Sequence, residues 1–138
     1  MSYTLEKPEN KVMFMVEIRV LRTKPVAAMD CRAWEGKIDS EYVGLIESFA
    51  REFSIEKFVT ALLNYTRSTW EAKPHISYVG AYPVMQWYLL VNVGREIPVV
   101  VELDNANMKL IPHTPYTVPL EERKKAIKML VSELLKYV

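Results

Sequence analysis

The sequence predicts an α+β protein in which a mainly antiparallel, four-stranded sheet carries helices on one face. Three observations indicate this class. Half of the 138 residues are apolar and a quarter are charged, which is typical of a globular chain. Apolar residues recur at every second position in some segments and at every third or fourth position in others. These segments follow one another in the order β-α-α-β-β-β-α, without the regular strand–helix alternation of a parallel sheet.

A chain of this length can form one domain with its own hydrophobic core. We expect residues 1–10 to be a polar tail and residues 11–138 to be that single globular domain. The lone cysteine, Cys31, excludes an internal disulfide framework. No apolar run approaches the roughly 18–20 residues that cross a bilayer, and residues 1–10 lack the apolar core of a signal peptide. The sequence therefore predicts a cytoplasmic protein without a membrane partner.

The first strand is predicted over residues 11–22, where alternate side chains from Val12 to Val20 are apolar. Residues 23–38 contain proline and glycine and keep no period, so they are predicted to form an irregular connection. The connection is long for a compact domain, and loops of that length usually either carry function or contain a short element of secondary structure.

Two amphipathic helices are predicted next. Apolar residues spaced three and four apart begin at Tyr42, and Asp39 or Ser40 can cap this helix. Ser54 restarts the pattern as a second cap, and the second helix is predicted to continue to about Ala72. A proline two residues later prevents it from continuing further.

Three strands are predicted over residues 75–82, 85–93 and 97–103, the last two joined by a tight hairpin. In the second of these strands, alternation places Trp87 on the core face and Tyr88 on the other face. The register of the first strand, and with it the face that each of its side chains occupies, is left open by the pattern.

The remaining chain is predicted to be a loop followed by a helix. Residues 104–119 contain three prolines and are predicted to be loop or extended chain. Residues 120–137 are predicted to form an amphipathic helix, with two glutamates in its first turn and a basic face opposite its apolar stripe.

Little in the sequence points to catalysis. The four glycines are never clustered, so neither a phosphate-binding loop nor a dinucleotide fingerprint is present. A catalytic alternative would use Cys31, His75 or His113, but no spacing supports a partner for the cysteine. Residues 104–107 lack the alternating oxygen ligands of a calcium loop. We therefore predict no catalytic residue, no metal and no cofactor, and a protein that is not an enzyme.

Aromatic and basic residues outside the apolar stripes provide the positive signal. Single-stranded nucleic acid is bound by aromatic rings that stack on bases and by cations that contact phosphates. Because the net charge is only +1, attraction must come from a local patch. The competing explanation is structural, with the rings packed under helices and the cations solvated. The candidates are four rings for stacking, Trp34, Trp70, Tyr78 and Tyr88, and four cations for phosphates, Arg19, Arg22, Lys24 and Arg32.

These residues predict a protein that binds single-stranded DNA or RNA without strong sequence preference. The alternative is a homodimeric protein-interaction module, in which a partner chain covers an apolar sheet face. Amino-acid usage further indicates a thermophilic source, since one Gln stands beside fourteen Glu and eleven Lys. The face that a partner would cover comprises Met13, Met15, Leu21, Tyr88 and Leu90.

In element order and composition, most of residues 11–138 resembles the ThermoDBP-type single-stranded DNA-binding proteins of archaea and their relatives. The shared features are a first strand, a helical pair, an aromatic sheet and a C-terminal helix, with no motif string to align residue by residue. The resemblance implies a cleft between sheet and helices, lined by aromatic and basic side chains, that holds single strands without strong sequence preference. In that family a long C-terminal helix can pair subunits.

Overall fold

The computed structural model describes residues 16–21 and 39–138. Within these ranges the α+β class and the antiparallel sheet are confirmed. The described sheet has five strands rather than the predicted four. The elements are β1 (Val16–Leu21), α1 (Ser40–Glu52), α2 (Ile55–Thr66), β2 (His75–Val79), β3 (Tyr82–Val93), β4 (Glu96–Asp104), β5 (Lys109–His113) and α3 (Leu120–Leu134), followed by a 3-10 turn at Leu135–Tyr137.

The long strand β3 organises the sheet. One of its edges pairs with β4, which in turn pairs with β5, and all these pairings are antiparallel. Its other edge is shared end to end by β1 and β2: Leu21 lies opposite Tyr88, and His75 lies opposite Gln86. Trp87 therefore stands at the junction of the two shorter strands. This junction becomes the location of the candidate site.

Part of residues 104–119, predicted to be loop or extended chain, is extended and forms β5, the strand that the four-stranded prediction lacked. It pairs with β4 over its whole length, and Val101 lies opposite Pro112. A proline is compatible with a sheet edge because its missing N–H can face away from the ladder. Pro98 in β4 follows the same rule, since the pairing with β5 begins only at Val100.

The helices begin where the sequence predicts. The Asp39 side chain accepts a hydrogen bond from the Tyr42 N–H at 2.9 Å, and Ser54 Oγ accepts one from the Lys57 N–H at 3.1 Å. The end of α2 is different, because the helix stops at Thr66 rather than near Ala72. Arg67 adopts a left-handed conformation, with φ at 57°, and terminates the helix.

The main core lies between the sheet and the helices. Trp87 is only 2% exposed, which confirms its predicted place in the core. Its ring meets Phe58 edge-on, with 5.2 Å between the ring centroids, and Phe58 continues into a cluster with Phe49 and Phe53. Trp87 Nε1 donates to the Ala72 carbonyl at 3.0 Å, which fastens the chain after α2 to the sheet.

A buried polar group fixes α1 against α3 and β5. The Tyr42 hydroxyl and Thr114 Oγ1 are 2.7 Å apart, and Arg123 Nε donates to Thr114 Oγ1 at 2.8 Å. Lys124, almost fully buried, donates to Asp39 and to Glu41 at 2.6 and 2.9 Å. These hydrogen bonds with Lys124 are the main cause that lowers the pKa of both carboxyls below its ordinary value.

No helix in the described part of the chain is long and apolar enough to cross a membrane.

Candidate functional site

The predicted phosphate-binding residues contribute little that the structure describes. Arg22, Lys24 and Arg32 lie outside the described residues, as does the predicted stacking residue Trp34. Arg19 lies on β1 with an exposed side chain. Its guanidinium forms an ion pair with Glu96, the first residue of β4. A phosphate would therefore have to compete with the Glu96 carboxylate for the Arg19 guanidinium.

Cys31, Met13 and Met15, which the catalytic and interaction alternatives invoked, also lie outside the described residues.

The expectation that Tyr88 is an exposed stacking residue is wrong. Alternation places its ring on the face opposite Trp87, as predicted, but Tyr88 is only 2% exposed. Its ring contacts the His75 ring at 5.3 Å between centroids, and its hydroxyl donates to Gln86 Oε1. Val100, its neighbour across β4, is also buried. A ring enclosed in this way cannot stack on a base.

Trp70 and Tyr78, in contrast, are as exposed as predicted, at 54% and 69%. The register of β2 explains Tyr78, because cross-strand partners share a face of the sheet. Ile76 lies opposite Met85, and Tyr78 lies opposite Pro83. Since Met85 precedes Trp87 by two residues, β2 presents Ile76 and Tyr78 on the helix side of the sheet, and their exposure places them beyond the cover of the helices.

Sequence reasoning did not assign Tyr82 to the site. It is the first residue of β3 and, at 77%, the most exposed large apolar side chain among the described residues. It follows a turn in which Gly80 has a φ of 64°, a conformation that glycine adopts without strain. The sequence signal that could have identified Tyr82 was the presence of two tyrosines, Tyr78 and Tyr82, on either side of this turn. Tyr82 lies opposite Val79 and directly precedes Pro83, so its side chain is on the other face of the sheet from Ile76 and Tyr78. We call Trp70, Ile76, Tyr78 and Tyr82 together the aromatic surface, which spans both faces of the β2–β3 hairpin.

The connection between α2 and β2 holds Trp70 in place. The Lys73 N–H donates to the Trp70 carbonyl at 3.2 Å, and Lys73 Nζ lies 5.7 Å from the centroid of the Trp70 ring. The adjacent Ala72 is buried and accepts the hydrogen bond from Trp87. Arg67, at the start of the connection, is exposed. Arg67 and Lys73 therefore place one cation on each side of Trp70 in the sequence of this connection.

A cavity of about 330 Å³ lies at the junction of β1 and β2, next to the aromatic surface. Pockets of roughly 300–1,000 Å³ are typical for small molecules. The buried residues Trp87 and Tyr88 line it, together with the exposed Trp70 and Ile76, which also belong to the aromatic surface. The remaining lining residues are Val20, Glu71, Lys73, Pro74, His75 and Gln86.

Polar side chains continue from the cavity across the opposite face of the sheet. Gln86 Nε2 donates to Glu102 Oε1 at 3.2 Å, and His113 Nε2 lies 3.8 Å from the same carboxylate oxygen. Burial lowers the pKa of His113, although Glu102 opposes this effect. Among residues 16–21 and 39–138, no three His, Cys, Asp or Glu side chains are grouped to hold a metal ion.

No protein-family model matches the sequence, and no match is found among curated proteins or solved structures. Function must therefore be argued from the aromatic surface and the cavity beside it.

Proposed function

We propose that this protein binds single-stranded nucleic acid, DNA or RNA, through the aromatic surface and without strong sequence preference. The observation that carries the proposal is the exposure of Trp70, Tyr78 and Tyr82, more than half of each side chain, on one short turn and the hairpin that follows it. An exposed ring offers a π-face to any base, and each stacked base contributes about 1–3 kcal/mol. The proposed role is binding, with no chemical step.

Charge plays a smaller part in this proposal than stacking does. The net charge of +1 provides no long-range attraction for a polyanion. Lys73 and Arg67 are the cations that flank Trp70, and we assign them to phosphates next to a stacked base. Two phosphate contacts on a single strand give a slope of about −1.4 in log affinity against log salt concentration.

The test is a titration of the protein with a labelled oligothymidylate at two salt concentrations. Replacement of Trp70 or Tyr78 by alanine should weaken binding by about 1–3 kcal/mol, which is roughly a 5- to 150-fold change in Kd. Tyr116→Ala is the matched control, because Tyr116 is also exposed but follows β5, which runs away from the β2–β3 turn. Absence of binding by the wild type at low salt, or unchanged affinity in both variants, would reject the proposal.

Ile76 favours a second candidate function, the protein-interaction module. It is 51% exposed between two aromatic neighbours, and an exposed aliphatic side chain in such a patch is typical of a protein interface. Because Tyr88 is buried within the chain, this candidate uses the aromatic surface rather than the Tyr88 face. Light scattering across a concentration series separates the two functions. A dimer that is lost in Ile76→Ser, together with no oligothymidylate binding, would favour the interaction module.

A further inference from the structure

The strand β2 has one edge that no strand of the described chain pairs with. Its five residues, His75–Val79, pair with β3 alone. We infer that this edge pairs with the same edge of a second copy of the chain, so that two sheets join through antiparallel β2 strands. The inference goes beyond the proposed function and does not depend on it, because main-chain groups hold the two copies together.

The turn after β2 determines which main-chain groups point toward the open edge. Two residues separate β2 from β3, so Val79 and Tyr82, which flank the turn, form a hydrogen-bonded pair. Hydrogen-bonded pairs alternate with non-hydrogen-bonded pairs along an antiparallel ladder. The N–H and C=O groups of Ile76 and Tyr78 are therefore directed away from β3.

The strand β1 lies on the same edge of β3 and shows how such a group is satisfied elsewhere. The same alternation directs the Ile18 N–H away from β3, and the Tyr65 hydroxyl accepts a hydrogen bond from it at 3.0 Å. Within the described residues, neither a side chain nor a strand does the same for Ile76 and Tyr78. The side chains of Ile76 and Tyr78 are also exposed. The edge of β2 thus offers main-chain donors and acceptors to a partner strand.

The composition of β2 favours pairing at this edge. Open sheet edges are usually protected by lysine, by another charge or by a proline within the strand. His75–Val79 contains no Asp, Glu, Lys, Arg or Pro. Such a strand has no charge that would repel a second copy of itself.

A second copy fits this edge in one register. A two-fold axis at Ser77 places Ile76 opposite the partner's Tyr78, so that outward-directed residues face one another and exchange main-chain hydrogen bonds. An axis at Ile76 or at Tyr78 would instead bring Pro74 or Gly80 into the ladder, and proline has no N–H to donate. The register at Ser77 also sets an aliphatic side chain beside an aromatic one, which is a favourable cross-strand pair. This match favours a second copy over an unrelated strand.

Sedimentation equilibrium over a series of protein concentrations tests the dimer. The wild type should dimerise reversibly. Ile76→Pro removes an N–H that points away from β3, so the β2–β3 ladder stays intact. It should raise the Kd of the dimer by about 5- to 150-fold, the effect of two lost hydrogen bonds, one donated by each copy. Ile76→Val is the matched control, because it keeps the N–H and a β-branched side chain, and it should dimerise like the wild type.

Engineered cysteines test the register. With the axis at Ser77, the Cα atoms of Ser77 and the partner's Ser77 form a non-hydrogen-bonded pair about 4.5 Å apart, which a disulfide can span. In a Cys31→Ser background, Ser77→Cys should therefore yield a disulfide-linked dimer on mild oxidation. Ile76→Cys should not, because the two substituted positions would lie more than about 7 Å apart.

The outcomes separate this inference from the proposed function. A wild type that is monomeric at every concentration, or a dimer that a folded Ile76→Pro variant leaves unchanged, would overturn the inference. Cross-linking of Ile76→Cys in preference to Ser77→Cys would also overturn it, since the axis would then lie elsewhere. If Ile76→Pro does not fold, the two cysteine variants decide. Oligothymidylate binding by a monomer would leave the proposed function standing, whereas a β2 dimer that binds no oligothymidylate would overturn the proposed function alone.

Discussion

Replacing Tyr88 tests whether its ring is a structural element or a binding surface. Tyr88 is 2% exposed, lies against His75 and donates its hydroxyl hydrogen to Gln86. Tyr88→Ala removes a buried aromatic ring and should lower the free energy of unfolding by about 3–5 kcal/mol, the usual range for a large aromatic residue in a core. Tyr88→Phe keeps the ring and removes the hydrogen bond to Gln86, so it should lower that free energy by about 0.5–1.5 kcal/mol.

Urea denaturation followed by far-UV circular dichroism gives the unfolding free energies of the wild type and both variants. Trp87→Ala is the reference, because Trp87 is equally buried on the helix side of the sheet and should show a loss of similar size, about 3–5 kcal/mol. Oligothymidylate affinity is measured on Tyr88→Phe, which stays folded, and should equal that of the wild type. A Tyr88→Ala variant as stable as the wild type, with oligonucleotide binding lost, would refute this assignment and return Tyr88 to the binding surface.

Three further predictions concern stability. Because Lys124 holds the pKa values of Asp39 and Glu41 below their ordinary 3.8 and 4.5, the stability that these ion pairs contribute is fully present above those ordinary values. It is lost as the pH falls below them and through the lowered pKa values of the folded protein, and Lys124→Met should flatten this acid limb in thermal melts across pH. Burial lowers the pKa of His113 from its ordinary 6.5, so the wild type should lose stability as the pH falls below 6.5, and an equal loss in His113→Gln would contradict this cause. Met108 is exposed and has a φ of 54°, a left-handed conformation that glycine adopts with less strain. Met108→Gly should therefore raise the unfolding free energy by about 0.5–1 kcal/mol, seen as a higher urea midpoint. A lower midpoint would show that the Met108 side chain is needed.

Local patterns in the sequence determined much of the fold. The side chains of Asp39 and Ser54 mark the first turns of α1 and α2, since a cap needs only its own neighbours. Alternation along β3 placed Trp87 in the core, because the period of a strand is a local property. The α+β class followed from the order of such segments.

The errors arose where a neighbour distant in sequence decides the outcome. The proline-rich segment that contains β5 had no local strand signal, and it becomes a strand because β4 offers it an edge. The α2 helix was expected to extend to Ala72, but the chain turns at Arg67 and is then fastened by the hydrogen bond from Trp87. Both outcomes depend on contacts that periodicity does not record.

The candidate site shows the same division. The sequence alone identified Trp70 and Tyr78 as rings outside the apolar stripes, and their exposure is confirmed. Alternation assigned Tyr88 to a face, but only tertiary packing decides whether a side chain on that face is covered, and the Tyr88 ring is. The register of β2 against β3, which brings Ile76 beside the cavity, was also a tertiary outcome. Side-chain direction is a property of the local backbone, whereas burial depends on every other part of the chain that packs against it.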